Sequence, residues 1–281
     1  MDNILKKREI VSFDGPCPYN CKHCYTFGLK EENNHLTIEN IINSLKGKEF
    51  DVIYVSHNKE NFLKPSEGIK LCEELFSNYN KDIIAITRNV FNDSELNELV
   101  NLQKKMKGKD KDLFLAVSIP ANESINITEG NDLIPTPSKR IDFLKRAKEK
   151  GLTTILVIRP LFPNNIIPTS EALEIIDDLN EYVDCVLSSG LAVNKAILSQ
   201  LKMSEEQFKY LDGDNSNYLI GATSSDTKYI DVTEELSKIK AKCSDLNIPF
   251  FDHSLSAINY LKQNKKRWQW GLSLKVIFFF T

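Results

Sequence analysis

Half of the chain's six cysteines fall within the eight residues Cys17 to Cys24, in "CPYNCKHCY", directly after the apolar run "REIVSF". Their spacing, C-x3-C-x2-C, allows three thiolates on one loop to converge on a single cofactor. A structural zinc site needs four ligands, usually from two paired knuckles. The fourth would have to be His23, His35, His57 or His253, none of which has a partner at knuckle spacing. A ferredoxin-type cluster takes four cysteines. Three cysteines on a four-iron cube leave one iron without a protein ligand, which is useful only if something else binds there. Zinc and iron–sulfur readings both stand at this point. Cys72, Cys185 and Cys243 are isolated and read as small apolar core residues.

The elements that must position this loop alternate along the chain. Strand-like runs rich in β-branched residues begin near Arg8, Asp51, Asp82, Asp112, Thr153 and Val183, at the spacing of βα units. Between them lie helical segments with recognisable ends. Thr37 is placed to cap "IENIINSLKG", Pro65 opens "SEGIKLCEELFSNY", and Asp93 or Ser94 starts "ELNELVNLQKKMKG". Pro137 and Ser138 open "KRIDFLKRAKEKG", which Gly151 ends in the left-handed conformation, and Thr169 or Ser170 caps "EALEIIDDLNEY". The strands are near-continuous apolar runs, as burial on both faces of a parallel sheet demands. A barrel and an open doubly wound sheet both satisfy this pattern. After Ser189 the alternation weakens: a hairpin is expected around Ser224–Thr227, then a helix over "VTEELSKIKAKCSDL" and a strand in "IPFFDH".

With 281 residues, 41% of them hydrophobic, the chain can bury a substantial core. A net charge of −3 excludes a global field drawing it onto nucleic acid or an anionic membrane. The N-terminal "MDNILKKREIVSF" lacks the apolar segment of a signal peptide, and no run approaches the roughly 18 apolar residues of a membrane span. The expected address is the cytoplasm, with no membrane partner, where clustered cysteines mean metal or catalysis more often than disulfides. The terminal "RWQWGLSLKVIFFFT" carries no functional reading.

"CPYNCKHCY" resembles the cluster loop of the radical S-adenosylmethionine (SAM) enzymes, and its place after the first strand of a βα series is similar to theirs. The resemblance implies an α/β fold: a partial (β/α)6 TIM-type barrel over residues 1–191, with a C-terminal α+β extension over 192–281 packed on it. It implies that Cys17, Cys21 and Cys24 hold three irons of a 4Fe–4S cluster, the fourth iron being chelated by the amino and carboxylate groups of SAM. One electron then splits the bond from the sulfonium to the 5′ carbon, and the 5′-deoxyadenosyl radical takes a hydrogen atom from the substrate. A reductant such as flavodoxin or ferredoxin is the implied partner. A non-catalytic iron–sulfur or SAM sensor and a Cys3His zinc-stabilised binding protein are the alternatives.

Strand ends nominate further residues, since βα barrels place their sites at the C-terminal ends of strands. Where many family members carry a GGE-like motif after strand 2, this chain has Ser56, His57 and Asn58; Ser56 and Asn58 offer oxygen acceptors to the SAM ammonium group. Strand 3 ends in Thr87 and Arg88. Ser118 resembles the family's polar residue on strand 4, and Arg159 offers a fork to the methionine carboxylate, a structural ion pair being its alternative. His23, beside the third cysteine, takes the aromatic position near the adenine and is expected to pack there. Glu129 and Arg140, both in the long segment "PANESINITEGNDLIPTPSKR", resemble the spore photoproduct lyase-like branch and are expected to pair beside the SAM pocket. Cys185, on strand 6, is a candidate hydrogen-atom donor if it faces the lumen.

That branch makes repair of DNA photoproducts one candidate activity, alongside small-molecule and peptide substrates. Nucleic-acid binding should cluster Lys and Arg on one face. The candidates are "NKKR" at Asn264–Arg267, beside Trp268 and Trp270, and "KKMKGKDK" at Lys104–Lys111. The latter also reads as a helix end favoured by its dipole.

Overall fold

The computed structural model describes residues 4–13, 17–24, 37–56, 59–211 and 227–269, with backbone alone for 265–269. Its strands and helices follow the expected alternation. The strands are β1 (Arg8–Val11), β2 (Val52–Val55), β3 (Asp82–Thr87), β4 (Leu113–Ser118), β5 (Thr153–Leu161), β6 (Cys185–Gly190), β7 (Ala192–Val193), β8 (Lys228–Tyr229) and β9 (Phe250–Phe251). The helices are α1 (Ile38–Ser44), α2 (Pro65–Tyr79), α3 (Asp93–Lys107), α4 (Ile125–Thr128), α5 (Pro137–Glu149), α6 (Thr169–Asp178), α7 (Lys195–Leu201), α8 (Thr233–Asp245) and α9 (Ser254–Gln269). Local chemistry sets their ends. Thr37 accepts from the Asn40 amide, and Pro65 and Pro137 open α2 and α5. Asn92, one residue before the expected start, closes a capping box with Glu95 on α3.

β1 to β6 lie side by side in sequence order, with β9 parallel to β6 as a seventh strand. This order decides between barrel and doubly wound sheet. Right-handed crossovers that always step the same way keep every helix on one face, whereas a doubly wound sheet must reverse its strand order. The strands obey that division by residue parity. Ile53, Val55, Ile83, Leu115 and Leu156 face outward into the helix-covered core. Val52, Tyr54, Ile84, Phe114, Ile155 and Leu187 face inward.

The C-terminal extension shares this core. Val193, Ile197, Phe208, Ile230, Ile239 and Ile248 belong to the outer apolar cluster together with residues of β1 to β6. α9 packs Ala257, Ile258 and Leu261 against the inward face. Asn259 exchanges hydrogen bonds with both backbone groups of Leu5, at 2.8 and 3.0 Å. Lys262 pairs at 2.5 Å with Asp82, the first residue of β3, so α9 descends from the cavity toward the N-terminal ends of the strands. β7 and β8 form a small antiparallel ladder. The expected hairpin at Ser224–Thr227 lies mostly outside the described residues, as do Trp270 and the apolar tail. Among the described residues, no helix is long and apolar enough to cross a membrane.

Candidate functional site

A cavity of about 450 Å³ opens at the C-terminal ends of the strands, within the range of small-molecule sites, about 300–1,000 Å³. The two-residue period of a strand determines what it displays. Inward residues of β2 to β6 end successively in Ser56, Arg88, Ser118, Arg159 and Ser189, and all five line the cavity with His23. Ile84, Ala116, Val157 and Leu187 lie below them. The extension supplies an apolar wall that includes Ile230, Val232 and Leu236.

The cysteine loop is held at the rim by the segment after β4. The Lys22 amide donates to Thr128 O at 2.9 Å, and Asn131 Nδ2 donates to Pro18 O and Tyr19 O, both at 2.9 Å. Gly130, at φ +59°, lets this segment approach so closely that a Cβ would stand 2.4 Å from Lys22 Cε. Glu171 of α6 anchors the segment's start by accepting from the amides of Asn122 and Ser124 at 2.8 and 3.1 Å. The long segment after β4 is thus an ordered clasp. Cys17, Cys21 and Cys24 gather around Tyr19 and Ile134 in one small cluster, and none of the six cysteines is in a disulfide.

Behind the loop runs a buried ionic network. Arg140 forms a fork to Glu129 at 3.0 and 2.6 Å and donates to Ser118 O at 2.6 Å. Arg140 is 0% and Glu129 3% exposed, so this is no solvated surface pair. Arg88 donates to Glu129 at 2.9 Å. Burial opposes charge on Glu129, but Arg140 and Arg88 override it and hold the carboxyl below its usual range. Arg88 is likewise opposed by burial and raised overall by Cys21, Glu129 and Glu60. Glu60 accepts from Thr87 Oγ1 at 2.9 Å and the Arg88 amide at 2.7 Å.

His23 is buried between fixed partners. The Thr128 carbonyl, 3.1 Å from Nδ1, can only accept, and Arg88 Nη2, 3.4 Å from Nε2, can only donate. These contacts select the neutral Nδ1–H tautomer, and burial with Arg88 lowers the pKa to about 4. Both ring nitrogens are therefore engaged, which removes His23 as the fourth ligand of a Cys3His zinc site. Three thiolate donors on one loop suit iron–sulfur chemistry. Burial pushes the Cys21 thiol up to about 12, with Arg88 the largest opposing influence; binding of a metal centre displaces such a proton.

Ser56 stands at φ +70°, the left-handed region in which a glycine of a GGE-like motif would be at ease. Its Oγ accepts from the Asn61 amide at 2.7 Å. Asn58 and His57 lie outside the described residues. Arg159 forms no ion pair among the described residues; its Nη2 donates to Asp252 O at 2.5 Å. Its charged neighbours are Arg8 and Asp252, whereas those of Arg88 include Cys21. Arg88 is thus the guanidinium beside the cysteine loop, a role the sequence reading did not give it. Cys185 does face inward, but it is fully buried in the apolar cluster beneath α9 and does not line the cavity. That placement corrects its candidacy as a hydrogen-atom donor: it is a core residue.

No family model and no curated protein sequence matches the chain. Solved structures share its fold. SuiB of Streptococcus suis bound to S-adenosylmethionine superposes with a TM-score of 0.58 at 11% identity, over 89% of this chain and 51% of SuiB. A spore photoproduct lyase mutant gives 0.58 at 12% identity, over 84% of this chain and 72% of the lyase. Another lyase mutant, with bound AdoMet and dinucleoside spore photoproduct, gives 0.57 at 11% identity. The chain therefore spans about half the length of SuiB. These likenesses show a shared fold.

Proposed function

We propose that the chain is a radical SAM enzyme whose 4Fe–4S cluster is carried by Cys17, Cys21 and Cys24. The observation that carries this reading is the meeting of a three-cysteine loop with a concave cavity at the C-terminal strand ends, His23 belonging to both and Arg88 standing beside Cys21 in the cavity lining. A bound cluster would supply the electron that cleaves SAM reductively. The remaining work falls to the chain. Ser56 and Ser118 offer polar contacts to the SAM methionine and ribose, and neutral His23 gives the adenine a flat packing surface. The Glu129–Arg140–Arg88 network fixes the strand ends from behind. The apolar wall from the extension excludes water, which protects a reactive intermediate from side reactions.

The substrate is one that fits a cavity. Both basic stretches sit at the far end of the molecule. Lys104–Lys107 is the last turn of α3, which ends where β4 begins, and α9 carries Asn264–Arg267 beyond Lys262, already at the N-terminal end of β3. Neither flanks the cysteine loop, so neither supports photoproduct repair on duplex DNA. The reductant, of the flavodoxin or ferredoxin type, is part of the same proposal.

Anaerobic reconstitution with iron and sulfide, followed by SAM titration, tests the reading. The wild type is expected to take up about four irons with acid-labile sulfide and to bind SAM. The triple Cys17→Ala, Cys21→Ala, Cys24→Ala variant should do neither. Stoichiometric zinc without sulfide in the reconstituted wild type would overturn it.

A further inference from the structure

The base of the cavity, where α9 begins, holds two guanidinium groups whose Nε donors are buried without an acceptor. Arg159 lines the cavity, and its Nε is buried without a partner. Its bond to the Asp252 carbonyl leaves the guanidinium without a carboxylate, since it enters no ion pair among the described residues. Arg8 stands behind, with its own Nε buried and unpartnered and its charge resting on the Tyr54 ring, 5.2 Å from the centroid. Asp252 lends Arg159 its main chain, and its carboxylate pairs with neither arginine within 4.0 Å.

Ser254 sharpens the point. Its Oγ accepts from Arg8 Nη1 at 3.1 Å and from the Tyr54 hydroxyl at 3.0 Å. A serine hydroxyl has two lone pairs and one proton, so both acceptor positions are filled and only the proton remains. No hydrogen bond donated by that proton is found among the described residues, and Ser254 lines the cavity. Ser254 is also the first residue of the 16-residue α9, whose positive dipole end therefore faces the same space. Burial, opposed by Tyr54 and Asp252 and reinforced by Arg8, pulls Arg159 down to about 10. Charges held out of water are costly unless paired, and among the described residues no carboxylate pairs with Arg159.

We propose that this base is a binding site for an anionic group of the substrate, a carboxylate or a phosphate, held directly by Arg159 and the Ser254 hydroxyl with Arg8 as a second cation behind them. A guanidinium fork meets either group bidentately. Arg159 stands at the end of β5 and Arg88, beside the cysteine loop, at the end of β3, both lining the same cavity. Arg159 is thereby reassigned from the SAM carboxylate to the substrate.

The proposal rests on the enzyme reading only in calling the occupant a substrate. Its test accordingly uses the full-length protein without cluster or SAM. Thermal unfolding is followed while inorganic phosphate or acetate is added, against sodium chloride at matched ionic strength. The wild type should show a saturable stabilisation by at least one of the two probes, the stronger one identifying the group as phosphate or carboxylate. Arg159→Met should abolish it, Arg159→Lys retain part, and Ser254→Ala weaken apparent affinity by about tenfold, the loss typical of a hydrogen bond to a charged group. Should Arg159→Met fail to fold, Ser254→Ala decides alone, and an unchanged affinity there would overturn the proposal. So would a wild type responding to neither probe beyond the chloride baseline. A parallel SAM titration of reconstituted protein separates the two claims: a loss of SAM affinity in Arg159→Met with intact phosphate and acetate binding assigns Arg159 to SAM and overturns the anion site, whereas absent SAM binding in the wild type undercuts only the enzyme reading.

Discussion

Two side chains show how much local free energy is invested at the strand ends. Arg140 is fully buried and held by one carboxylate and one carbonyl. Removing a single member of such a pair leaves an uncompensated buried charge, at a cost of about 3–5 kcal/mol. Glu129→Gln is therefore expected to lower stability by that order in urea unfolding, while the double variant Glu129→Leu/Arg140→Met recovers part of it. A single-variant loss below about 1 kcal/mol would show that the network is solvated after all. Ser56 offers a cleaner comparison. Ser56→Ala and Ser56→Gly both lose the bond to Asn61, but only glycine is relieved at φ +70°. The glycine variant should be more stable than the alanine variant by about 1 kcal/mol, read from the two unfolding midpoints.

At the scale of elements, the clasp after β4 and the helix beneath the cavity carry the account. Asn131→Ala deletes two bonds to the cysteine loop. It should accelerate amide hydrogen exchange at Lys22, whose N–H bonds to Thr128 O, without altering exchange in β2 to β5; unchanged exchange at Lys22 would mean that the clasp is redundant. Ile258→Ala in α9 should cost about 2–5 kcal/mol as a buried large-to-small change, measured by denaturant unfolding. Much of this scaffold is legible in the sequence. Apolar runs at βα spacing locate β1 to β6, and their alternation puts Ser56, Ser118 and Arg159 on one face because a strand's period is two. Other features depend on long-range pairing. Nothing local to Asn131 or Glu171 announces partners 113 and 47 residues away. β9 is two residues long, and its pairing with β6 decides that α9 lies inside the sheet rather than outside. Arg88 reads as one strand-end residue among several until the fold sets it beside Cys21.

Among the described residues, the groups argued to carry the chemistry share one end of the molecule. The cysteine loop, the clasp, the buried network and the cavity all lie at the C-terminal ends of the strands, and the basic turn of α3 and the far end of α9 lie at the other. That polarity is what a βα barrel delivers, and it makes the central claim a question about chemistry at one rim. The direct test is anaerobic reconstitution with iron and sulfide, reduction with dithionite in the presence of SAM, and quantification of 5′-deoxyadenosine. The account predicts 5′-deoxyadenosine from the wild type and none from Cys24→Ala. A wild type that carries a complete cluster yet forms none, or a Cys24→Ala variant that forms as much, would contradict it.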